Sequence, residues 1–225
     1  GGSQALVVAS DGFRLLDPAT GVFQLLTAKP MGGADLPVSV PQFPPQIVQA
    51  SLGVSGDRRY IIGAAGTEEQ DEAITVNFRF DVTTRELDII GITSSPPLGP
   101  RVVSVNNEGT SYLVGWALMS LIRDASVLTA QFPYATGDLN VGGHAFDWLR
   151  SRIYAQIPEA VTGSGTVQPP VLHVVDSDNL TVRERLQLPE NLAGRSVLSS
   201  NMDTMYAVSD SGVMIIPVGT LYRAA

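Results

Sequence analysis

The two ends of the chain carry the same short pattern. Near the start, Leu6-Val-Val-Ala-Ser-Asp-Gly12 runs into Phe13-Arg-Leu-Leu16, and near the end Tyr206-Ala-Val-Ser-Asp-Ser-Gly212 runs into Val213-Met-Ile-Ile216. Each copy reads as an apolar strand, a turn of Ser, Asp and Gly, and a second apolar strand. A pattern that returns after almost the whole chain indicates an architecture built from repeats, so further copies are expected between the two ends.

Three interior tyrosines mark these copies: Tyr60 in DRRYIIGA, Tyr112 in GTSYLVGW and Tyr154 in RSRIYAQI. Counted from Leu6 to Tyr206, the five anchors are spaced 54, 52, 42 and 52 residues apart. A unit of roughly 40 to 50 residues that carries several short strands has the size of one blade of a β-propeller. The spacing therefore predicts five successive propeller units.

Each unit divides into short strands joined by polar turns such as DPATG, DVTTR and DSDN, whose Asp, Pro, Gly and Asn residues are typical of hairpin turns. The first unit offers three strands, each of the three central units offers four, and the last offers three. Helical periodicity is absent over any twelve residues, although 117–127 is compatible with a helical turn. We predict an all-β protein, a β-propeller of four-stranded antiparallel blades with three complete and two partial blades in this chain.

The incomplete units at the two ends leave two interpretations of the domain organisation. Residues 1–225 either form a single propeller domain excerpted from a longer propeller, or close a five-unit ring through irregular pairing of the terminal pieces. We favour the excerpt, because Gly1 and Ala225 lie next to strands with no natural cap, and open sheet edges are a liability.

Composition excludes several classes of protein. With 44% hydrophobic and 16% charged residues the chain is not of the disordered class. A net charge of −8 repels phosphate backbones, so we predict no nucleic-acid partner. Because cysteine is absent, disulfides, thiolate zinc sites and a cysteine nucleophile are excluded. The longest apolar run, Leu113 to Ile122, is too short to span a bilayer, so we predict no membrane insertion.

Several motifs resemble the YVTN-type and lactonase-like β-propeller repeats of bacteria. They are the strand Tyr206-Ala-Val-Ser-Asp-Ser-Gly212, the turns Asp57-x-x-Tyr60 and Asp203-x-x-Tyr206, and the strand ends Asp17-x-x-Thr20 and Asp81-x-x-Thr84. The resemblance covers nearly the whole chain. It implies an exported bacterial protein that is extracellular, at the cell surface or periplasmic, although no signal peptide is visible in this sequence. No active-site motif of the lactonase enzymes matches, so the resemblance transfers no catalytic residue.

The densest charge cluster is Glu68-Glu69-Gln70-Asp71-Glu72, with four carboxylates in five residues. Such a cluster is compatible with a solvated loop, with a partner contact, or with a hard cation such as calcium, which takes six to eight oxygen ligands. The ordered ligand spacing of a calcium loop is missing here, and we predict no metal site. Asp176-Ser-Asp178-Asn179 also alternates acidic residues, but it stands where a hairpin turn is expected.

Of the two histidines, His144 is the candidate for function. It follows two glycines in Val141-Gly-Gly-His144-Ala-Phe-Asp147, a segment expected to form an innermost strand near the central channel. There His144 could serve as a ligand or base. Asp147 is unsuited to cooperate with it directly, because strand residues three apart point to opposite faces. His173 lies in the apolar stretch VLHVVD and is predicted to be a packed strand residue.

Loop length indicates where a function would lie. The long connections, at 28–45, 66–72, 94–100 and 158–169, all fall between second and third strands or between units, which places them on one face of a propeller. We therefore predict a non-catalytic binding or structural module of an exported bacterial protein, with a protein or carbohydrate partner and no cofactor. Its predicted binding residues are Glu68, Glu69, Asp71, Glu72 and His144. The alternative is a lactonase-like or metal-assisted hydrolase that uses the same face.

Overall fold

The structure is a computed structural model that describes residues 4–30, 47–69, 72–93, 102–132, 142–157 and 169–219. Within these ranges the chain forms nineteen β-strands and no helix. No helix able to cross a membrane is therefore found among them. Short apolar stretches that alternate with Gly-, Asp- and Asn-containing turns favour strands over helices, which explains the all-β structure.

The strands fall into five successive units. Unit one comprises β1 (Ala5–Ala9), β2 (Gly12–Asp17) and β3 (Val22–Leu25), and β4 (Ala28–Pro30) follows it. Unit two comprises β5 (Ile47–Val54), β6 (Tyr60–Glu69), β7 (Glu72–Asp81) and β8 (Leu87–Thr93). Unit three comprises β9 (Val103–Val105), β10 (Ser111–Val114), β11 (Ala117–Ile122) and β12 (Ala125–Gln131). Unit four comprises β13 (Gly142–Asp147), β14 (Arg152–Gln156), β15 (Val171–Asp176) and β16 (Val182–Gln187), and unit five β17 (Leu192–Leu198), β18 (Thr204–Ser209) and β19 (Gly212–Pro217).

Consecutive strands within each unit pair antiparallel, so the described residues form the three complete and two partial blades predicted from the sequence. Two parallel pairings were not predicted. Strand β4 adds a fifth strand to unit two, with Ala28 opposite Leu87 on the outer strand β8. The inner strands β13 and β17 also pair, which joins units four and five into one seven-stranded sheet.

Among the described residues the core comprises four apolar clusters, and each lies between two consecutive units. Phe13 and Phe78 are in the cluster between units one and two, where their rings meet edge to face. The cluster between units two and three contains Ile62, and the next one contains Trp116. Tyr154 is in the cluster between units four and five. Each central sheet is therefore apolar on both faces and packs between two neighbours, as the blades of a propeller do.

The tyrosine anchors mark the second strand of each unit, but they do not mark one position on it. In units two, three and five, an equivalent backbone hydrogen bond lies next to the turn between the first and second strands. It runs from Ser55 N–H to the Tyr60 carbonyl, from Asn106 N–H to that of Ser111 and from Ser199 N–H to that of Thr204. Tyr60 is itself the accepting residue, whereas Tyr112 lies one residue after Ser111 and Tyr206 lies two residues after Thr204. In units two to four both faces of this strand pack against a neighbouring sheet, so an aromatic side chain is accommodated on either side, whereas Tyr206 in unit five is 41% exposed.

The hairpin turns that lead into the last strand of the unit repeat with the same geometry in units one, two and four. In each turn the carbonyl oxygen of the Asp accepts a hydrogen bond from the backbone N–H of the residue four positions later. The donating residues are Gly21, Arg85 and Leu180, and their φ values are 71°, 62° and 59°. These turns confirm that DPATG, DVTTR and DSDN close hairpins. In unit three a two-residue turn, Arg123 and Asp124, replaces them, with both φ values positive. Residues 117–127 therefore do not form the helical turn that the sequence allowed, because the paired strands β11 and β12 occupy this segment.

Candidate binding site

Four inner strands, β5, β9, β13 and β17, surround the centre of the array. They line a cavity of about 360 Å³, to which all four contribute residues. Most of the lining is apolar, and the polar lining residues are Ser51, Ser104, Arg195 and Ser196. A cavity of this size with few polar groups is typical of a small binding pocket.

Gly143 allows the inner strands of units four and five to approach closely, and Gly142 allows β13 to approach β14 within unit four. A Cβ on Gly143 would lie 2.4 Å from the carbonyl oxygen of Gly194 on β17. A Cβ on Gly142, where φ is +95°, would lie 2.5 Å from the carbonyl oxygen of Gln156. The Gly-Gly pair therefore lets β13 approach the backbones on both sides of it.

His144 lies on β13, the inner strand of unit four, and its side chain is completely buried. Its Nδ1 atom is 2.7 Å from Oγ of Ser104 on the neighbouring inner strand β9, in a hydrogen bond. Asp147 instead bonds to Arg150 and Tyr154, so the two residues do not cooperate directly. Because Ser104 lines the cavity, His144 acts on the channel by holding the Ser104 hydroxyl in place.

Burial lowers the pKa of His144 to about 4, although the carbonyl groups of Val102 and Gly115 favour its protonated form. Desolvation disfavours a charged imidazole more strongly than these carbonyls support it. At neutral pH His144 is consequently an uncharged hydrogen-bonding group.

Folding stability is expected to fall as the pH drops from 6.5 to 4. Above pH 6.5 the His144 imidazole is neutral in both the folded and the unfolded chain, so the full stability is present. Between pH 6.5 and 4 the imidazole binds a proton in the unfolded chain but not in the folded one, and this difference favours unfolding. The loss across this window amounts to roughly 3 kcal/mol. Denaturant unfolding at pH 7.5 and 4.5 measures it, and His144→Gln should show a much smaller difference between the two pH values. Equal differences in both proteins would contradict this role of His144.

Asp147 is the centre of a polar network between units four and five that the sequence did not reveal. Its carboxylate is fully buried, accepts a hydrogen bond from the Tyr154 hydroxyl at 3.1 Å, and pairs with the Arg150 guanidinium at 3.0 Å. Arg150 also donates to the Met202 carbonyl oxygen at 3.0 Å and to Asp203 at 2.5 Å. The guanidinium thus ties the first turn of unit four to that of unit five.

Strands β6 and β7 extend far beyond their counterparts. Each has ten residues, whereas the second strands of units three, four and five have four, five and six. Four or more extra residues correspond to roughly 15 Å of additional strand. Gly66 and Thr67 still pair with β5, and Thr75 still pairs with β8, so only residues 68–69 and 72–74 form a two-stranded extension, which we call the β6–β7 arm. The prediction of a long loop at 66–72 is therefore wrong, because β6 and β7 remain paired up to Glu69 opposite Glu72.

The predicted binding residues lie on two separate units. The backbone register places Glu68 opposite Ala73 and Glu69 opposite Glu72 at the tip of the arm. Asp71 lies outside the described residues, as do most of the predicted loops at 28–45, 94–100 and 158–169. His144 belongs to unit four.

The other acidic segment that the sequence offered, residues 176–179, forms a hairpin turn. Asp176 forms an ion pair with Arg183 at 2.5 Å, and the Asn179 side-chain oxygen accepts a hydrogen bond from the Thr181 N–H. Among the described residues no group of three His, Asp or Glu side chains is placed to hold a metal ion. His173 lies half-buried on β15, as a packed strand residue should.

Arg195 is a further channel residue that the sequence did not single out. It lies on β17 in register with His144, it is exposed, and it borders the cavity. Within the part of the chain that the structure describes, no carboxylate forms an ion pair with it. Nothing local distinguishes this arginine in the sequence, since its position follows from the pairing of two strands that are about fifty residues apart.

No known family model matches the sequence, and no curated protein matches it either. The structure is similar to solved β-propellers. The β-propeller domain of Cps50 (Swd1) from Myceliophteria thermophila superposes with a TM-score of 0.60 and 11% identity, over 99% of this chain and 64% of that chain. KlAtg21, solved in complex with the coiled-coil of AgAtg16, gives a TM-score of 0.54 and 10% identity, over 96% and 64%. Kuenenia stuttgartiensis hydrazine synthase gives 0.53 and 13%, over 95% and 62%.

The chain is a β-propeller. At 10% to 13% identity these similarities establish the fold and no more. The chain spans less than two thirds of the length of each of these structures.

Proposed function

We propose that this chain is a non-catalytic binding module of an exported bacterial protein of the YVTN-like type, located outside the cell, at its surface or in the periplasm. Its partner is a protein that presents a basic segment to the tip of the β6–β7 arm. Glu68, Glu69, Asp71 and Glu72 are the contact residues, and His144 contributes by holding Ser104 at the channel. The resemblance of the repeats to those of exported bacterial propellers supports the location.

The observation that carries this proposal is the length of the β6–β7 arm. Stability of the propeller does not require it, because units three to five form their sheets with second strands of four to six residues. A two-stranded extension is marginal by itself and gains stability from what it contacts. Projecting elements of a rigid scaffold are common binding sites.

The charge at the tip indicates the chemistry of the partner. The register sets Glu69 opposite Glu72, and like charges at directly opposed positions destabilise a strand pair. A cationic partner removes this repulsion on binding. The net charge of −8 also attracts a basic segment at long range and accelerates encounter.

The alternative is a lactonase-like or metal-assisted hydrolase that uses the long-loop face, and His144 is the base that the sequence offers for it. A pKa of about 4 makes the imidazole a weak base at neutral pH, and complete burial separates it from any substrate. Its Nδ1 atom is committed to Ser104, in a pair that includes no orienting carboxylate among the described residues. The geometry of His144 therefore argues against its use as a catalytic base.

Fluorescence anisotropy with labelled hexalysine, and with hexaglutamate as the reversed-charge probe, tests the proposal. We expect hexalysine to bind, and Glu68→Gln/Glu69→Gln/Asp71→Asn/Glu72→Gln to weaken it by about tenfold. The matched control, Asp11→Asn/Glu108→Gln/Asp178→Asn/Asp210→Asn, removes the same number of charges elsewhere and should weaken it by less than about twofold. Equal weakening by both variants, or no hexalysine binding, would contradict the proposal.

A further inference from the structure

The cavity between the inner strands carries hydroxyl groups on both sides of β13. Ser104 lies on β9, and strand alternation turns it toward β13, because Val103 and Val105 pack between units two and three. Ser196 lies on β17, and its Oγ atom is 3.2 Å from the position that a Cβ on Gly143 would occupy. Both serines line the cavity, so a molecule bound there meets one hydroxyl group on each side of β13.

The hydroxyl group of Ser104 offers the cavity an acceptor and no donor. Its Oγ atom lies 2.7 Å from Nδ1 of His144, and the carbonyl groups of Val102 and Gly115 also interact with this imidazole. A neutral imidazole has a single N–H, and a carbonyl oxygen can only accept a hydrogen bond. We therefore assign that N–H to Nε2, which leaves Nδ1 to accept the proton of Ser104. The lone pairs of the Ser104 oxygen remain for a ligand.

The hydroxyl group of Ser196 lacks a hydrogen-bond partner. Its Oγ atom is buried, and none of the described residues bonds to it. A buried hydroxyl without a partner carries a desolvation cost that a bound polar group would relieve. Because a hydroxyl can donate as well as accept, Ser196 accommodates either kind of ligand atom. The requirement for a hydrogen-bond donor on the ligand therefore comes from Ser104 alone.

The rest of the lining favours an uncharged ligand with an apolar body. It includes the aromatic side chains of Phe146 and Trp148, and among the described residues no carboxylate lines the cavity. Arg195 at its border disfavours a cation. An anion would leave water for a mostly apolar cavity, would meet only lone pairs at Ser104, and would gain little from the exposed Arg195.

These contacts specify both ends of the ligand. We propose that the cavity binds an uncharged aromatic alcohol, whose O–H donates to Oγ of Ser104 while its ring lies against the apolar lining. His144 is the positioning residue, because its Nδ1 atom fixes the direction of the Ser104 proton. The site is separate from the β6–β7 arm and does not depend on the partner proposed for that arm.

Titration calorimetry at neutral pH with three naphthalenes, substituted at the same ring position, tests the proposal. We expect naphthol to bind, and methoxynaphthalene, which has the same rings and no donor, to bind about tenfold more weakly. Naphthoate should be weakened at least as much, because its carboxylate is an acceptor and carries a charge. Absence of saturable naphthol binding, equal affinity for naphthol and methoxynaphthalene, or tighter binding of naphthoate would overturn the proposal.

Ser104→Ala tests the hydrogen bond itself. We expect this variant to bind naphthol and methoxynaphthalene within about twofold of each other, because the acceptor is gone. Ser120→Ala is the matched control, since Ser120 lies on β11 of the same unit and does not line the cavity, and it should keep the tenfold preference. The comparison of two ligands on one variant cancels any general loss of stability. A naphthol preference that persists in Ser104→Ala would refute the assigned contact.

A second measurement locates the ligand without any change to the cavity. Met202 lines the cavity, whereas Met119 is buried between units two and three and Met214 lies on β19. In NMR spectra of the chain with isotope-labelled methionine methyl groups, we expect naphthol to shift the Met202 signal and to leave those of Met119 and Met214 in place. A shift at Met214 with Met202 unchanged would place naphthol on another surface and exclude the proposed site.

Discussion

Gly143→Ala is expected to destabilise the protein by about 4 kcal/mol. The added Cβ would lie 2.4 Å from the Gly194 carbonyl oxygen, which is fixed in the backbone of β17 and has no flexible side chain to move aside. Relief requires β13 and β17 to separate, so the cost combines overpacking of up to about 3 kcal/mol with about 1 kcal/mol for each parallel hydrogen bond that is lost. Denaturant unfolding monitored by tryptophan fluorescence measures the change.

Gly21→Ala is the control for this prediction. Gly21 has a φ of +71°, and no atom lies within 4 Å of the place that an alanine methyl group would occupy, so alanine there suffers backbone strain without collision. That strain costs about 1 kcal/mol. Similar losses in the two variants would mean that units four and five separate at their inner strands with little penalty, which would contradict the close packing assigned to Gly143.

Arg150→Met is expected to lower stability by about 3 to 5 kcal/mol. The substitution leaves the buried Asp147 carboxylate without its cation and removes the bonds from Arg150 to Met202 and Asp203. A buried carboxylate that loses its partner retains the full cost of its desolvation. Because Asp147 is fully buried and Arg150 is 23% exposed, added salt should change the effect less than it changes that of an exposed ion pair.

Two further variants separate the buried charge from other consequences of losing Arg150. Arg183→Met breaks the exposed pair with Asp176 and should cost less than about 1 kcal/mol. Asp147→Asn combined with Arg150→Met should be more stable than Arg150→Met alone, because the amide removes the uncompensated charge. If the double variant were less stable than Arg150→Met, the buried charge would not be the cause of the loss.

Strand number and order could be predicted because their signals are local. The Asp of each DPATG-like turn and the positive-φ residue four positions later lie within one hairpin, and so do the apolar runs on either side. The predicted three, four, four, four and three strands are therefore all present. Strand β4 was not predicted, since its pairing with β8 joins segments that are far apart in sequence, and three residues are too few to show a pattern.

The candidate site was only partly predictable. The position of His144 on an inner strand followed from the Gly-Gly pair and from the repeat. Its partner Ser104 did not, because the two residues come from different units and meet through the packing of β9 beside β13. The acidic residues at 68–72 were recognised as a cluster, but their place on a long strand pair rather than a loop depends on register along the whole of β6 and β7.

Repeats, turn chemistry and apolar alternation determined by themselves that this protein is a β-propeller of five successive units, because strand and turn preferences act between residues close in sequence. The tertiary structure alone decided which side chains meet across units. It placed Gly143 against Gly194, and Arg150 between Asp147 and Asp203. These contacts depend on how each sheet stacks on the next. A shift of one residue in register would move a whole strand's side chains to the opposite face.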